Sequence, residues 1–310
     1  MMSDLANSRQ ASDRGGRRTL IAWLVLLVAT AAIYWPGLHG GYVFDDFPFI
    51  VDNPDLKVTT LDPAAWTRAV LSFPANHTGR WLTMLSFAVN HYFTGFDPFW
   101  FKLTNLAIHL LNGCLLYWIF RGLFSLRNAT RTQPQAHEAG LRNVALVLAA
   151  LWLVLPINLS GVLYAAQRCE SFSHTFVFLG LALYVHGRAR LERDGKGLRW
   201  MIGGLLATGV GVLAKESAVL LPLYAFLVEW VFGTFGHSRH RRPLTIIYVV
   251  VLALPLLAGL AWLATWIGTG TSFPRTFDTI ERLLTEARVL VAYIQWTLLP
   301  LPDSLSLSHD

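Results

Sequence analysis

Long apolar blocks alternate with short arginine-rich segments along this chain, and that alternation restricts its fold more than any single motif does. Within the blocks the apolar residues run together rather than recurring at helical or strand periods, as in segments that meet lipid. Four segments, residues 1–18, 121–142, 186–200 and 233–243, hold 16 of the 25 Lys and Arg residues. Each adjoins an apolar block, as short cytoplasmic loops do under the positive-inside bias. Only 14% of the residues are charged, against about 25% in soluble domains. Because the positive charge is divided among loops that end apolar blocks, it forms no continuous basic face, and nucleic acid is not an expected partner.

These features predict an all-α, polytopic helix bundle of seven or eight spans. The expected spans are residues 19–35, 99–120, 143–159, 162–185, 200–213, 217–235 and 244–267. An eighth apolar helix, 280–299, either spans or lies at the interface. With seven crossings every basic loop falls on one side of the membrane. Residues 1–18 read as a basic cytoplasmic tail, and 19–310 as one transmembrane domain. The first block resembles a signal sequence but runs into Ile33-Tyr34-Trp35-Pro36 without a small-residue cleavage site, so it reads as an uncleaved span. The short polar stretch that closes the chain reads as a fragment boundary.

Residues 36–98 form a large loop on the opposite, outer side. This loop carries six Asp against three basic residues, the reverse of the inner loops. Its apolar stretches, such as residues 81–88, are too short to cross and read as helices at the outer surface. Long loops of this kind are commonly functional. The two cysteines, Cys114 and Cys169, suggest neither a disulfide framework nor a zinc site and read as small buried residues. Asn76, Asn128 and Asn158 each begin a glycosylation-acceptor pattern, and Asn128 falls on the inner side.

Ionisable groups in or beside apolar segments are costly and point to function. Asp45 and Asp46 stand among aromatics in Gly41-Tyr42-Val43-Phe44-Asp45-Asp46-Phe47-Pro48. A carboxylate there can have a raised pKa and act as a base, can help to hold a divalent cation, or can simply cap a short helix in solvent. Arg80 opens an apolar stretch, as a phosphate ligand or an interfacial anchor. Arg168 with Glu170, and Lys215 with Glu216, put a cation and a carboxylate at the outer ends of two helical hairpins. They serve either a substrate or structural ion pairs. Asn105, His109 and Asn112 share one helical face by their spacing, for hydrogen bonds between helices or for substrate. No Walker A loop, HExxH, CxxC or GxSxG is present.

Several of these pieces, in this order, resemble membrane glycosyltransferases of the GT-C class. The similarity is to the protein O-mannosyltransferase-like branch, in particular the transmembrane O-mannosyltransferases that carry tetratricopeptide repeats and their bacterial relatives. The matching pieces are residues 41–54 (GYVFDDFPFIVDNP), 79–90 (GRWLTMLSFAVN), 98–117 with Asn105, His109 and Asn112, 167–170, 214–222 (AKESAVLLP) and 282–310. The resemblance implies a catalytic base at Asp45 or Asp46 without choosing between them. It implies that Arg80, Arg168 and Lys215 hold a donor phosphate, with Glu170, Glu216, His109 and Asn105 as supporting polar groups. It further implies a polyprenyl-phosphate-linked sugar as donor, a protein, lipid or glycan as acceptor, and an active face that is periplasmic in a bacterial inner membrane or lumenal in the endoplasmic reticulum. Arg80-Trp81 stands where the family has Arg-Pro, and the 310 residues hold no tetratricopeptide repeat.

The chemistry required by such a donor fits these residue types. An acceptor hydroxyl needs a carboxylate to take its proton as it attacks the anomeric carbon. The phosphate already leaves well, and cations stabilise the charge that develops on it. A single displacement inverts the anomeric centre. A polytopic transporter or lipid-linked sugar flippase is the alternative, although such proteins often show paired repeats and none is visible here. A non-catalytic membrane scaffold leaves the cost of the buried charges unexplained.

Overall fold

The computed structural model describes residues 2–74, 79–130, 138–232, 238, 241–269 and 279–300. The acceptor pattern at Asn76 and the chain end from Leu301 lie outside the described residues. All regular elements among them are helical. The chain divides into two compact units, one of Met1–Val154 with Asn158–Thr234 and one of Leu155–Ile157 with Phe235–Asp310.

In the first unit, α1 is Met2–Tyr34. The basic residues before the first apolar block are therefore in the same helix as that block. The outer loop carries α2 (Pro63–Leu71) and α3 (Trp81–Thr94). Asp62 caps α2 by accepting from the Ala64 and Ala65 N–H groups, with Pro63 next in line, the usual chemistry of a helix start. Helix α3 contains the apolar stretch read from the sequence as a surface helix. A core of Ile50, Leu56, Phe73, Met84, Phe87 and Phe101 lies beneath these elements, so the loop is a packed layer and not a free segment.

Helix α4 (Pro98–Thr130) continues about ten residues past the expected end of its span. Helix α5 (Glu138–Val154) stops short of its expected end. Pro156 follows, and the restriction that proline places on its predecessor ends the helix there. After the bend, α6 (Leu159–Leu163) leads into α7 (Arg168–Asp194). Helices α8 (Leu198–Ala214) and α9 (Leu221–Val231) complete the unit.

Helix α7 is the centre of the bundle, packed against α4 on one side and α8 on the other. Glycines let α7 and α8 touch closely. A Cβ on Gly204 would lie 2.8 Å from the Gly180 carbonyl oxygen, and one on Gly187 would lie 3.0 Å from that of Gly197. Small residues of this kind let helices pack where lipid gives no hydrophobic drive between them. Further along α7, Arg188 and Glu229 of α9 are both fully buried. Arg188 donates from Nε and Nη2 to the two Glu229 oxygens and from Nη1 to Glu192, while the Tyr184 hydroxyl donates to Glu229.

The second unit holds α10 (Arg241–Tyr248), α11 (Leu254–Thr269) and α12 (Thr279–Leu298). Among the described residues, three helical segments are long and apolar enough to cross a membrane: Gly16–His39, Pro98–Ala129 and Arg241–Ala261. A fourth is the bent pair Gly140–Val154 and Pro156–Leu163, which turns by 54°. Seven or eight spans were expected. The remaining candidates are charged, as in α7, or short, as in α9, whose 11 residues reach only about 16 Å.

Candidate functional site

The site begins with the turn after α1. Gly40 and Gly41 leave the helical end, and Phe44 takes φ +44°, a left-handed conformation that is uncommon for a bulky residue. The Asp46 side chain closes the turn: Oδ2 accepts from the Val43 N–H at 3.1 Å and Oδ1 from the Ala166 N–H at 2.7 Å. Asp46 is 0% exposed. Burial pushes its carboxyl above the ordinary aspartate value, although the Val43, Ala166 and Ala165 N–H groups and the charge of Lys102 act against the rise.

Asp45, by contrast, is exposed. Its backbone N–H donates to the Tyr164 hydroxyl oxygen at 2.9 Å. Burial pushes the Tyr164 hydroxyl up to about 12, so it stays a donor at neutral pH. The Tyr42 hydroxyl is enclosed, with no hydrogen-bond partner among the described residues. Burial first, and then the Asp46 charge, hold the Tyr42 phenol above its ordinary range.

Lys102, which no motif singles out, lies near the start of α4 and is 3% exposed. Its Nζ donates to the Gly40 and Gly41 carbonyls at 2.7 and 2.9 Å. One turn along the same helix, the Asn105 amide donates to the Tyr164 carbonyl at 3.2 Å, and its oxygen accepts from Arg168 Nε at 2.7 Å. The short apolar-looking run from 98 to 106 hid Lys102, because its charge is spent on carbonyls rather than on an acid that a sequence motif would reveal.

Arg168 lies inside the protein. It was expected as a cation for a donor phosphate, but it is 0% exposed. Its donors go to Asn105 Oδ1, to the Ser86 carbonyl and Asn90 Oδ1, and to the Phe101 carbonyl. The rings of Phe87 and Phe101 lie against it at 4.8 and 5.3 Å. With its fork filled by protein oxygens, it ties α3 and α4 to α7 and presents no donor outward.

The other charged residues named from the sequence do come together. Arg80, at the start of α3, pairs with Glu216 at 3.2 Å and lies over the Phe73 ring at 4.6 Å. Its Nε is enclosed without a hydrogen-bond partner among the described residues. Lys215 pairs with Glu170, which also faces His174. Burial tends to raise the Glu216 carboxyl, but its own N–H and the charge of Arg80 bring it below the ordinary value. Thr83 donates to the Ala214 carbonyl at 3.0 Å, pinning α3 to the end of α8. Residues 166 to 170 join the two halves of the site. Ala166 binds Asp46, Cys169 lies beside Arg80, and Glu170 binds Lys215. Four residues of helical chain cover only roughly 6 to 8 Å.

The polar face of α4 makes contacts between helices. His109 Nε2 lies 2.9 Å from the Leu153 carbonyl with its ring stacked on Trp152, and Asn112 donates to the Ser171 carbonyl at 2.9 Å. Cys114 and Cys169 are both free thiols. Among the described residues no three His, Cys, Asp or Glu side chains gather as a metal-binding group.

This arrangement gives one exposed carboxylate on a strained, buttressed turn, and two cations that meet the segment 169–170 following the one that buttresses it. The human protein O-mannosyl-transferase TMTC4 is 28% identical over 225 residues, 69% of this chain and 30% of that protein. The chain is similar to protein O-mannosyl-transferases. Tmtc3 of Drosophila melanogaster, likewise a protein O-mannosyl-transferase, is 28% identical over 188 residues, 56% of this chain and 20% of its own length. Mouse TMTC3 is 24% identical over 253 residues, 75% of this chain and 25% of its own length. The chain thus spans less than a third of the length of these curated relatives. No protein-family model and no solved structure matches it.

Proposed function

We propose that this chain is the membrane core of a glycosyltransferase that moves a sugar, mannose by analogy with its relatives, from a polyprenyl-phosphate carrier to an acceptor hydroxyl at the outer face. The observation that carries this reading is the different surroundings of the two adjacent carboxylates. Asp46 is consumed by backbone N–H groups and closed from solvent, whereas Asp45 is open beside the Tyr164 hydroxyl. Asp45 is the base and Asp46 the strut that presents it. Helices α7, α8 and α9 cross the membrane with the other spans, and the acidic loop faces the periplasm or lumen.

In the reaction the acceptor oxygen attacks the anomeric carbon from the face opposite the carrier. Its proton passes to Asp45 as the new C–O bond forms. The bond from the anomeric carbon to the phosphate oxygen breaks, and the electron pair leaves on the phosphate. Arg80 and Lys215 meet that charge, Arg80 by turning from Glu216 and Lys215 by turning from Glu170. The product is inverted. Arg168 acts from behind, fixing α3 and α4 against the segment that carries Ala166. The similarity to protein O-mannosyl-transferases supports a hydroxyl of a protein as acceptor.

The test is whether purified protein in proteoliposomes makes a new glycosidic bond. Polyprenyl-phosphate mannose, labelled in the sugar, is supplied with serine- and threonine-containing peptides. Labelled peptide with inverted configuration supports the enzyme. Movement of intact donor across the bilayer with no labelled product supports a flippase instead.

A further inference from the structure

We infer that Lys102 is a positioning residue for the acidic turn, its ammonium fastening the Gly40–Gly41 carbonyls to α4 so that Asp45 is held at the site. The inference rests on the assignment of Asp45 as base. Its geometry stands by itself. A buried ammonium ordinarily pairs with a carboxylate, yet Nζ here donates to two successive backbone carbonyls. Those carbonyls lie three and four residues before the strained Phe44, which leads into the acidic pair. The approach is close enough that a Cβ on Gly40 would stand 3.1 Å from Nζ.

Three residues along α4, Asn105 holds the Tyr164 and Ala165 carbonyls. The two α4 side chains therefore grip the two chain segments between which the acidic turn is strung, and Asp46 closes the third side through Ala166. Loss of the Lys102 grip frees one flank and leaves the other intact.

Lys102 also acts through its charge. The groups facing Asp46 are Lys102 of α4, Arg168 of α7, Tyr42 of its own loop, and Tyr164 before α7. Lys102 favours the ionised form of Asp46. Removing this cation therefore moves proton uptake by Asp46, and with it the loss of its grip on the Val43 and Ala166 N–H groups, to higher pH.

The test compares wild type with Lys102→Met, Lys102→Arg and Gly40→Ala in lipid nanodiscs, by amide hydrogen exchange and by mannosyl transfer across pH. Lys102→Met is expected to speed exchange over residues 40–46 by about tenfold or more while the α7–α8 hairpin keeps its protection. In transfer, kcat falls about 30-fold with donor KM within about twofold, and the acid limb moves to higher pH. Lys102→Arg keeps the wild-type limb, because it keeps the charge. Gly40→Ala, which crowds Nζ without removing it, raises exchange over the same residues. Unchanged exchange over 40–46 in both Lys102→Met and Gly40→Ala overturns the inference. So does loss of protection spread evenly over the bundle, or a fall in transfer with a fixed acid limb. If wild type transfers no sugar, the enzyme reading fails, and the exchange results alone decide whether Lys102 positions the turn.

Discussion

Two groups of charged residues occupy opposite ends of α7, about 30 Å apart by helical rise, and they are used in opposite ways. Around Arg188 the set is closed. Arginine and glutamate are both fully buried, and each guanidinium donor group has an acceptor on Glu229 or Glu192. Around Asp45 the set is open. One carboxylate faces solvent, Arg80 Nε and the Tyr42 hydroxyl have no partner among the described residues, and Phe44 is strained. A closed set holds α9 to α7, whereas the open set leaves one carboxylate in solvent and two enclosed polar atoms unsatisfied. Unsatisfied polar atoms and strain persist where function keeps them.

The comparison breaks most sharply at its two acids. Asp45→Asn is expected to cut the rate of sugar transfer by about 10²–10⁴, the range for a lost general base, with stability within about 0.5 kcal/mol of wild type because the side chain is exposed. A large fall in unfolding stability with that variant would make Asp45 structural. Glu229→Ala is expected to do the reverse. Stranding a buried arginine costs about 3–5 kcal/mol, seen as a lower denaturation midpoint, while the protein that stays folded transfers sugar at the wild-type rate. A specific loss of kcat there would erase the distinction between the two ends.

Smaller effects sharpen it. Arg80→Gln is expected to raise the donor KM about tenfold, since one cation of a phosphate site is worth about 1–2 kcal/mol, and to change stability little, since its Glu216 partner is exposed. Carboxyls at the open end also pull stability in opposite directions with pH. Asp46 binds its proton more tightly when folded, so its contribution declines as pH rises from the ordinary aspartate range through its raised value. Glu216 is held low, so its smaller contribution is present at neutral pH and lost as pH falls through its depressed value. Comparing the pH dependence of denaturation for wild type, Asp46→Ala and Glu216→Gln separates the two slopes. Equal slopes in all three would contradict these environments. The least change is expected for Tyr42→Phe, which removes a buried hydroxyl without a partner and alters stability by under about 1 kcal/mol.

Much of the fold was legible because lipid imposes contiguous apolar runs and the basic loops punctuate them. The helical layer over residues 63–94 was legible too, through the acid excess of the loop and its short apolar stretches. Helix ends were less so. Val154 ends α5 because of Pro156, and α4 runs on to Thr130 through a basic stretch that reads as loop, with no proline in it to stop the backbone hydrogen bonding. The site was legible as a set of residue types. Asp45, Asp46, Arg80, Glu170, Lys215 and Glu216 were all singled out from expensive charges in apolar context. The missing part was direction. A sequence shows that Arg168 is a cation near the end of a span, but only packing shows that its fork is filled by Asn90, Asn105 and Phe101. For the same reason Asp45 and Asp46 were equivalent in sequence and became distinct once Ala166, 120 residues away, supplied its N–H to one of them.

The most direct test of the claim that the open end is catalytic is the initial rate of mannosyl transfer from polyprenyl-phosphate mannose by wild type and Asp45→Asn. Both are reconstituted at equal folded concentration and checked for equal donor binding. The expected result is transfer by wild type and a loss of at least about a hundredfold in the variant with donor affinity retained. Equal rates in the two proteins would contradict it and move the base away from the acidic turn.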